Sequence, residues 1–364
     1  MQTSTVHLPP QESVQPINKK NIRIDSIQIL RAIAAILVCS GHIFHEMDVV
    51  SGEGWAYQLN LMFPQFRLDL LFVFSGFLMF YTSGKLFQAP GSWRTLVQKR
   101  AIRILPMYWF FTTLILLVAI VMPSQLDSTV FTPLHAILSY LLIPHFNPAL
   151  PVTEHAFLRS IHPALGLGWT LMYEALFIFA FAVALALSLT SRKALSFIFT
   201  VFVFLFALGN AGVFSGMAWE VFLSSSIPFE FVAGGLLSFF IRDGRFPWLT
   251  TVIILALCYA LYFLSHRISL PLDARIFEKG TVAIITLVLV VQLYRPVAIV
   301  SPIIMALADA SYSLYLSHPF TLTLVKIMMF KIAYVSVNDV TLWIYFVASL
   351  VLSILSAIVF YRLG

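Results

Sequence analysis

Arg31 and His42 stand eleven residues apart within the apolar stretch LRAIAAILVCSGHIFHE, residues 30–46. At 100° per residue, that spacing leaves them within about 20° of the same helix face and about 16 Å apart along the axis. One helix then shows a fixed cation and a titratable imidazole to one interior at two depths. An imidazole takes and returns protons near neutral pH, and a guanidinium holds anions through its forked donors. An arginine at membrane depth costs at least about 2.5 kcal/mol, so such residues usually face a polar interior or a partner. The plainer reading has Arg31 snorkelling to the headgroups and His42 closing the far end of the helix. His42 and His45, three residues apart and followed by Glu46, also suggest a pair of metal ligands. No matching carboxylate or thiol set occurs elsewhere, and no metal site is expected.

Arg100 and Arg103 form an i, i+3 pair suited to phosphate. With Lys85, Arg94 and Lys99 they serve equally as cytoplasmic anchors. Glu174 lies in an apolar segment next to Tyr173 and five residues after Trp169; a carboxylate there needs a partner, and Arg31 and His42 both qualify. Asp69 is a weaker instance of the same kind. Ser75 and Gly76 are small residues in mid-segment, suited to helix packing or to leaving room for a slender ligand arm. Tyr312, Tyr315 and His318 recur at i, i+3 and share one side of a helix. His135, His145, His155 and His162 are too widely spaced for a ligand motif and read as ordinary surface histidines.

The elements that must position these residues follow from composition. Of 364 residues, 60% are hydrophobic and only 10% charged, against about 25% charged in soluble domains. Apolar runs recur along the chain, and a bilayer demands that each run satisfy its own backbone, hence helices. The expectation is an all-α polytopic membrane protein with about ten spans: 25–44, 67–84, 104–122, 169–190, 194–213, 221–241, 247–264, 279–294, 300–325 and 339–361. Basic residues such as Arg94, Lys99, Arg192 and Lys193 put both termini in the cytoplasm under the positive-inside rule. The same bias explains the net charge of +6 without invoking nucleic acid. Residues 1–23, with three prolines and a basic cluster, read as a disordered lead-in, and 24–364 as one transmembrane domain. The segment 133–146 is apolar but too short to span, so it reads as re-entrant or interfacial. Cys39 and Cys258 lie within apolar runs and suggest no disulfide framework.

Five stretches in order carry a family resemblance. The Arg31-x10-His42 spacing, RLDLLFVFSGFL (67–78), KRAIRILPMYW (99–109), GLGWTLMYEALF (166–177) and SYSLYLSHPF (311–320) resemble the signatures of the membrane acyltransferase-3 family. Leu71 stands where that family often has Phe. The GWTLMYE wording is most similar to the ExoZ-like branch involved in exopolysaccharide production. The resemblance implies an inner-membrane enzyme that takes an acyl group, acetyl by default, from cytoplasmic acyl-CoA. The acceptor implied is a sugar hydroxyl of a polysaccharide or lipid-linked oligosaccharide. Acyl-CoA is then a co-substrate, no cofactor is permanently bound, and polysaccharide assembly machinery is a possible partner. In that chemistry His42 is a general base or acyl relay. Arg31 holds the thioester end or polarises its carbonyl, and Glu174 orients the imidazole or binds the sugar. Arg100, Arg103, Ser75 and Gly76 fall to the donor, and Asp69, Trp169, Tyr173, Tyr315 and His318 to the acceptor. The competing reading is a polysaccharide or lipid transporter, or a scaffold, marked by paired broken helices around a midplane site.

Overall fold

The computed structural model describes residues 19–363 apart from 53, 55–57, 59–65, 127–128, 151–160, 242–244, 266, 268–274 and 294–301, with side chains from Leu30 onward except at 125 and 302–304. Most of the expected disordered lead-in therefore lies outside the described residues. Its last five, Lys19 to Arg23, are already helical, because no proline follows Pro16 to stop the helix from extending towards the N-terminus.

In chain order the helices are α1 (Lys19–Ser51), α2 (Arg67–Thr82), α3 (Ser92–Val121), α4 (Pro133–Tyr140), α5 (Gly168–Ala186), α6 (Ser191–Asn210), α7 (Ala218–Leu223), α8 (Ile227–Ser238), α9 (Trp248–Ser265), α10 (Thr281–Leu293), α11 (Pro302–Asp309), α12 (Ser311–Lys326) and α13 (Asp339–Leu363). There is no strand among the described residues. Eight stretches are long and apolar enough to cross a bilayer: Leu30–Ser51, Ser92–Val121, Gly168–Ala186, Ser191–Asn210, Ala218–Ser238, Trp248–Ser265, Ile276–Leu293 and Asp339–Leu363. This is an all-α polytopic membrane protein.

Two of the ten expected spans differ. α2 has 16 residues, about 24 Å, less than the ~30 Å hydrocarbon core, whereas α12 runs on without a break into a wider helical turn, Ile327–Ile332. The expected span 300–325 is divided at Ala310 into α11 and α12. The Ala218–Ser238 stretch is likewise divided, with Pro228 opening α8, where its missing N–H costs nothing. α3 is the converse case, 30 residues and about 45 Å long. Its first turns, with exposed Arg94 and Lys99, overhang what is here termed the basic end.

The most extensive helix pair is α2 with α8, and glycine makes it possible. A Cβ at Gly76 would overlap the Phe231 carbonyl, and one at Gly234 the Val73 carbonyl, so the two backbones touch in the small-residue manner of membrane helices. Gly76 therefore serves packing and not, as its neighbour Ser75 does, the cavity described below. Gly76→Ala is expected to lower folded yield and thermal stability by more than the about 1–3 kcal/mol of ordinary overpacking, since backbone cannot yield. Ser75→Ala should leave both unchanged; thermal unfolding in detergent compares them.

Asp69 is also committed to structure. It is wholly buried, and Arg275 grips it with Nε at 2.7 Å and a terminal nitrogen at 3.1 Å. Glu230 of α8 lies 3.8 Å from the same Nε. The expected acceptor role of Asp69 gives way to a bidentate ion pair that ties α2 to the turn before α10.

α4 has 8 residues, about 12 Å, in keeping with a re-entrant or interfacial segment. It lies against the middle of α3: Tyr108 donates to the Ser139 carbonyl at 2.7 Å and Trp109 Nε1 to the Tyr140 carbonyl at 3.1 Å. Two of the supposed surface histidines are internal. His135 is 1% exposed, and its Nδ1 lies 2.7 Å from His145 Nε2, while His145 Nδ1 meets the Ile143 carbonyl at 2.7 Å. A carbonyl only accepts, so His145 carries its proton on Nδ1 and receives one from His135 at Nε2. Burial, with the second imidazole adding to it, lowers His135 from 6.5 to about 4; burial also lowers His145. Both are neutral in the fold and titrate more readily unfolded. The stability they lend is full above pH 6.5 and is lost as pH falls from there towards 4, about 3 kcal/mol over the whole range for His135. Amide hydrogen exchange across 133–146, corrected for intrinsic rates, should accelerate from pH 7 to 4.5, and His135→Gln should flatten that dependence. His155 lies outside the described residues.

Candidate active site

α1, α2, α3, α5 and α12 converge on an interior cavity of about 100 Å³ towards the basic end. Its polar lining is Arg31 from α1, Ser75 from α2, Arg100 and Arg103 from α3, Thr170 and Glu174 from α5, and Ser311, Tyr312 and Tyr315 from α12. Leu68, Leu71, Phe72, Leu78, Leu171 and Phe231 form its apolar walls. The helix periods read from the sequence account for this. Arg100 and Arg103 lie one turn apart, as do Tyr312 and Tyr315, so each pair reaches one interior.

The partly buried Arg31 and Arg100 and the exposed Arg103 thus line one cavity with a single carboxylate. Glu174 is electrostatically coupled to both Arg31 and Arg100, and exposed Asp309 is the next acid near Arg31. Among the described residues no carboxylate oxygen lies within 4.0 Å of Arg31, Arg100 or Arg103. Arg100 instead points a terminal nitrogen at Met79 Sδ, 3.4 Å away, a weak acceptor. The cavity carries excess positive charge with donors to spare, which is a site for an anion. Glu174 belongs to this group and not to His42.

Above the cavity, on the same helices, lies a pair of imidazoles. Tyr315 lines the cavity, donates to the Leu167 carbonyl at 3.2 Å and meets the Thr170 hydroxyl at 2.8 Å. Its ring is 6.3 Å from that of His318, whose ring is 5.1 Å from that of His42. His318 is fully buried. Its Nδ1 donates to the Leu314 carbonyl at 3.0 Å, which leaves Nε2 as a bare acceptor, and that nitrogen has no partner in the structure. His42 is half-buried. Beyond it the Arg67 guanidinium packs over Gly41, so a Cβ there would push it aside. Trp169 stacks on His162, ring centroids 6.3 Å apart and planes 11° from parallel. Side chains in contact therefore lead from Tyr315 at the cavity to His318 and His42.

Of the residues singled out from sequence, Arg31, Ser75, Arg100, Arg103, Glu174 and Tyr315 meet in the cavity; His42 and His318 pair outside its lining, and Trp169 packs on His162. Tyr173 is elsewhere: it is buried, stacks on Phe222 at 4.3 Å and donates to the Phe222 carbonyl at 3.1 Å, which makes it a core residue rather than an acceptor contact. Glu46, the third member of the suggested metal set, pairs with Lys326 at 2.5 Å and ties α1 to α12. Thr170, Arg67 and His162 were missed. Thr170 lies inside the WTLMYE stretch, where its hydroxyl signals a polar contact at membrane depth. His162 carries no periodic signal at all.

The chain is a polytopic helical bundle with a cluster of arginines towards one end of α1 and imidazoles towards the other. The chain belongs to the acyltransferase-3 family: the profile described as Acyltransferase domain matches residues 24–362. It is 30% identical over 262 residues to the exopolysaccharide production protein ExoZ of Rhizobium meliloti (strain 1021), covering 71% of this chain and 76% of that one. No solved structure matches it.

Proposed function

We propose that the protein moves a short acyl group, acetyl by default, from cytoplasmic acyl-CoA to a sugar hydroxyl of an exopolysaccharide or its lipid-linked precursor at the outer face of the inner membrane. The observation that carries this reading is the partition of charge along α1. Three arginines surround one carboxylate at the basic end, and His42 stands about 16 Å further along the same helix. Phosphate groups of the donor satisfy the arginines, and the slender thioester arm passes Ser75 and Tyr315 towards His42. The cavity, about 100 Å³, suits an arm and not a nucleotide, which stays at the basic end.

At His42 a neutral imidazole removes the proton of the acceptor hydroxyl, the oxygen attacks the thioester carbonyl, and the departing thiolate takes the proton back. Sugar alcohol and thioester become ester and thiol, with His42 regenerated. Arg31 is too far along the helix to polarise a carbonyl under attack there, so we group it with the donor-phosphate residues. Trp169, stacked on His162, offers a face for a sugar ring. Similarity to ExoZ, an exopolysaccharide production protein, supports an exopolysaccharide acceptor, and polysaccharide assembly machinery belongs to the same proposal. The test is the O-acyl content of surface polysaccharide, by NMR, in a deletion strain with and without the wild-type gene. Loss and restoration of one acyl signal is expected and names the group; identical decoration in both strains would move a transporter or scaffold role ahead.

A further inference from the structure

We infer that His318 is the positioning residue for His42, filling with a neutral imidazole the place that a carboxylate takes in a Ser-His-Asp triad. The inference rests on the reading of His42 as general base. A neutral imidazole has one N–H and one lone pair, and the partner of one nitrogen decides which atom carries the proton. The titratable and charged groups that act on His42 are His318 from α12, Arg67 from α2, His45 from its own helix and His162 from the segment before α5. Among the described residues none of these is a carboxylate. The acceptor available is Nε2 of His318, whose own proton is fixed on Nδ1 by the Leu314 carbonyl at 3.0 Å.

The separation of the rings fits. The His42 and His318 centroids are 5.1 Å apart; those of His135 and His145 are 4.8 Å apart while their nitrogens hydrogen-bond at 2.7 Å. A small rotation of the half-buried His42 ring therefore brings an N–H onto His318 Nε2. That nitrogen is buried without a partner, a costly state that the rotation relieves. The other nitrogen of His42 is then left as a lone pair for the acceptor hydroxyl. When the sugar proton arrives, the imidazolium that forms keeps its second N–H on His318, and the proton passes on to the thiolate. His318 holds its own proton throughout.

The experiment compares His318→Ala, His318→Gln and His318→Asn in purified, lipid-embedded protein, beside His42→Ala. A Gln oxygen reaches the position of Nε2; an Asn oxygen stops near Nδ1. Expected are a kcat about a hundredfold lower for Ala and Asn, an unchanged donor KM, and recovery to within about tenfold of wild type by Gln. In His318→Ala the acid limb of the kcat profile moves to lower pH, because the imidazolium has lost the acceptor that favours it. Should the Ala variant not fold, the Gln and Asn pair decides. Gln as impaired as Asn, or wild-type kcat and pH limb in Ala or Asn, overturns the positioning role. Transfer surviving in His42→Ala would instead overturn the reading of His42 beneath it.

Discussion

His42→Ala lowers kcat by about 10²–10⁴, the range a positioned acid–base group supplies, while acyl-CoA still binds. The separation is built into α1. Arg31 and the rest of the anion cavity lie about 16 Å from position 42, so shortening the side chain does not disturb donor phosphates. Alanine is the best helix former, and Gly41 already accommodates Arg67 against the helix, so α1 keeps its path. The measurement is transfer from labelled acyl-CoA to oligosaccharide by protein in nanodiscs, with donor affinity measured separately. A large fall in kcat at constant donor affinity is the expected pair of results. Rapid quenching and mass spectrometry of wild type then separate base from relay. An acyl group caught on His42 identifies a covalent carrier, and an unmodified peptide during turnover identifies a base. Unchanged kcat in the variant would remove His42 from the chemistry altogether.

What could be read from the sequence was what local spacing controls. The eleven residues from Arg31 to His42, the i, i+3 pairs Arg100/Arg103 and Tyr312/Tyr315, and the lone carboxylate Glu174 are each properties of single helices, and all of them but His42 line the cavity. Partnerships across the chain were not legible. Asp69 looked like a ligand because the residue that neutralises it, Arg275, is 206 positions away. Within its own helix Gly76 suited packing or ligand room equally, because the backbone that decides for packing belongs to α8. His135 and His145 are ten residues apart, and they meet because the chain reverses at Leu142, whose φ of 55° no residue pattern announces. Span counting faltered for a related reason. α2 is a short helix packed against α8, the run 300–325 is divided at Ala310, and a hydropathy reading does not say where an apolar run breaks.

Replacing Arg100 and Arg103 together by Gln is expected to weaken acyl-CoA binding at least about a hundredfold, since a charge-assisted hydrogen bond contributes roughly 1.5–3 kcal/mol. The competing account, in which these arginines only anchor α3 at the headgroups, predicts little change, because exposed Arg94 and Lys99 on the same helix continue to anchor it. Geometry favours binding. Arg100 is half-buried, lines the cavity beside Glu174 and has Met79 sulfur as its protein partner, an arrangement that leaves a costly cation under-used unless a ligand completes it. Lysine at both positions should recover part of the affinity, since it restores charge without the fork that pairs with phosphate oxygens. Calorimetry with CoA and with dephospho-CoA on wild type and both variants separates the two accounts. If the arginines bind phosphate, the advantage of CoA over its dephospho form shrinks in the Gln variant. Equal affinities for wild type and Gln variant, in protein that inserts normally, would return Arg100 and Arg103 to the role of anchors. Arg31 would then stand alone against Glu174, a charge balance too even to hold the phosphates of a CoA donor.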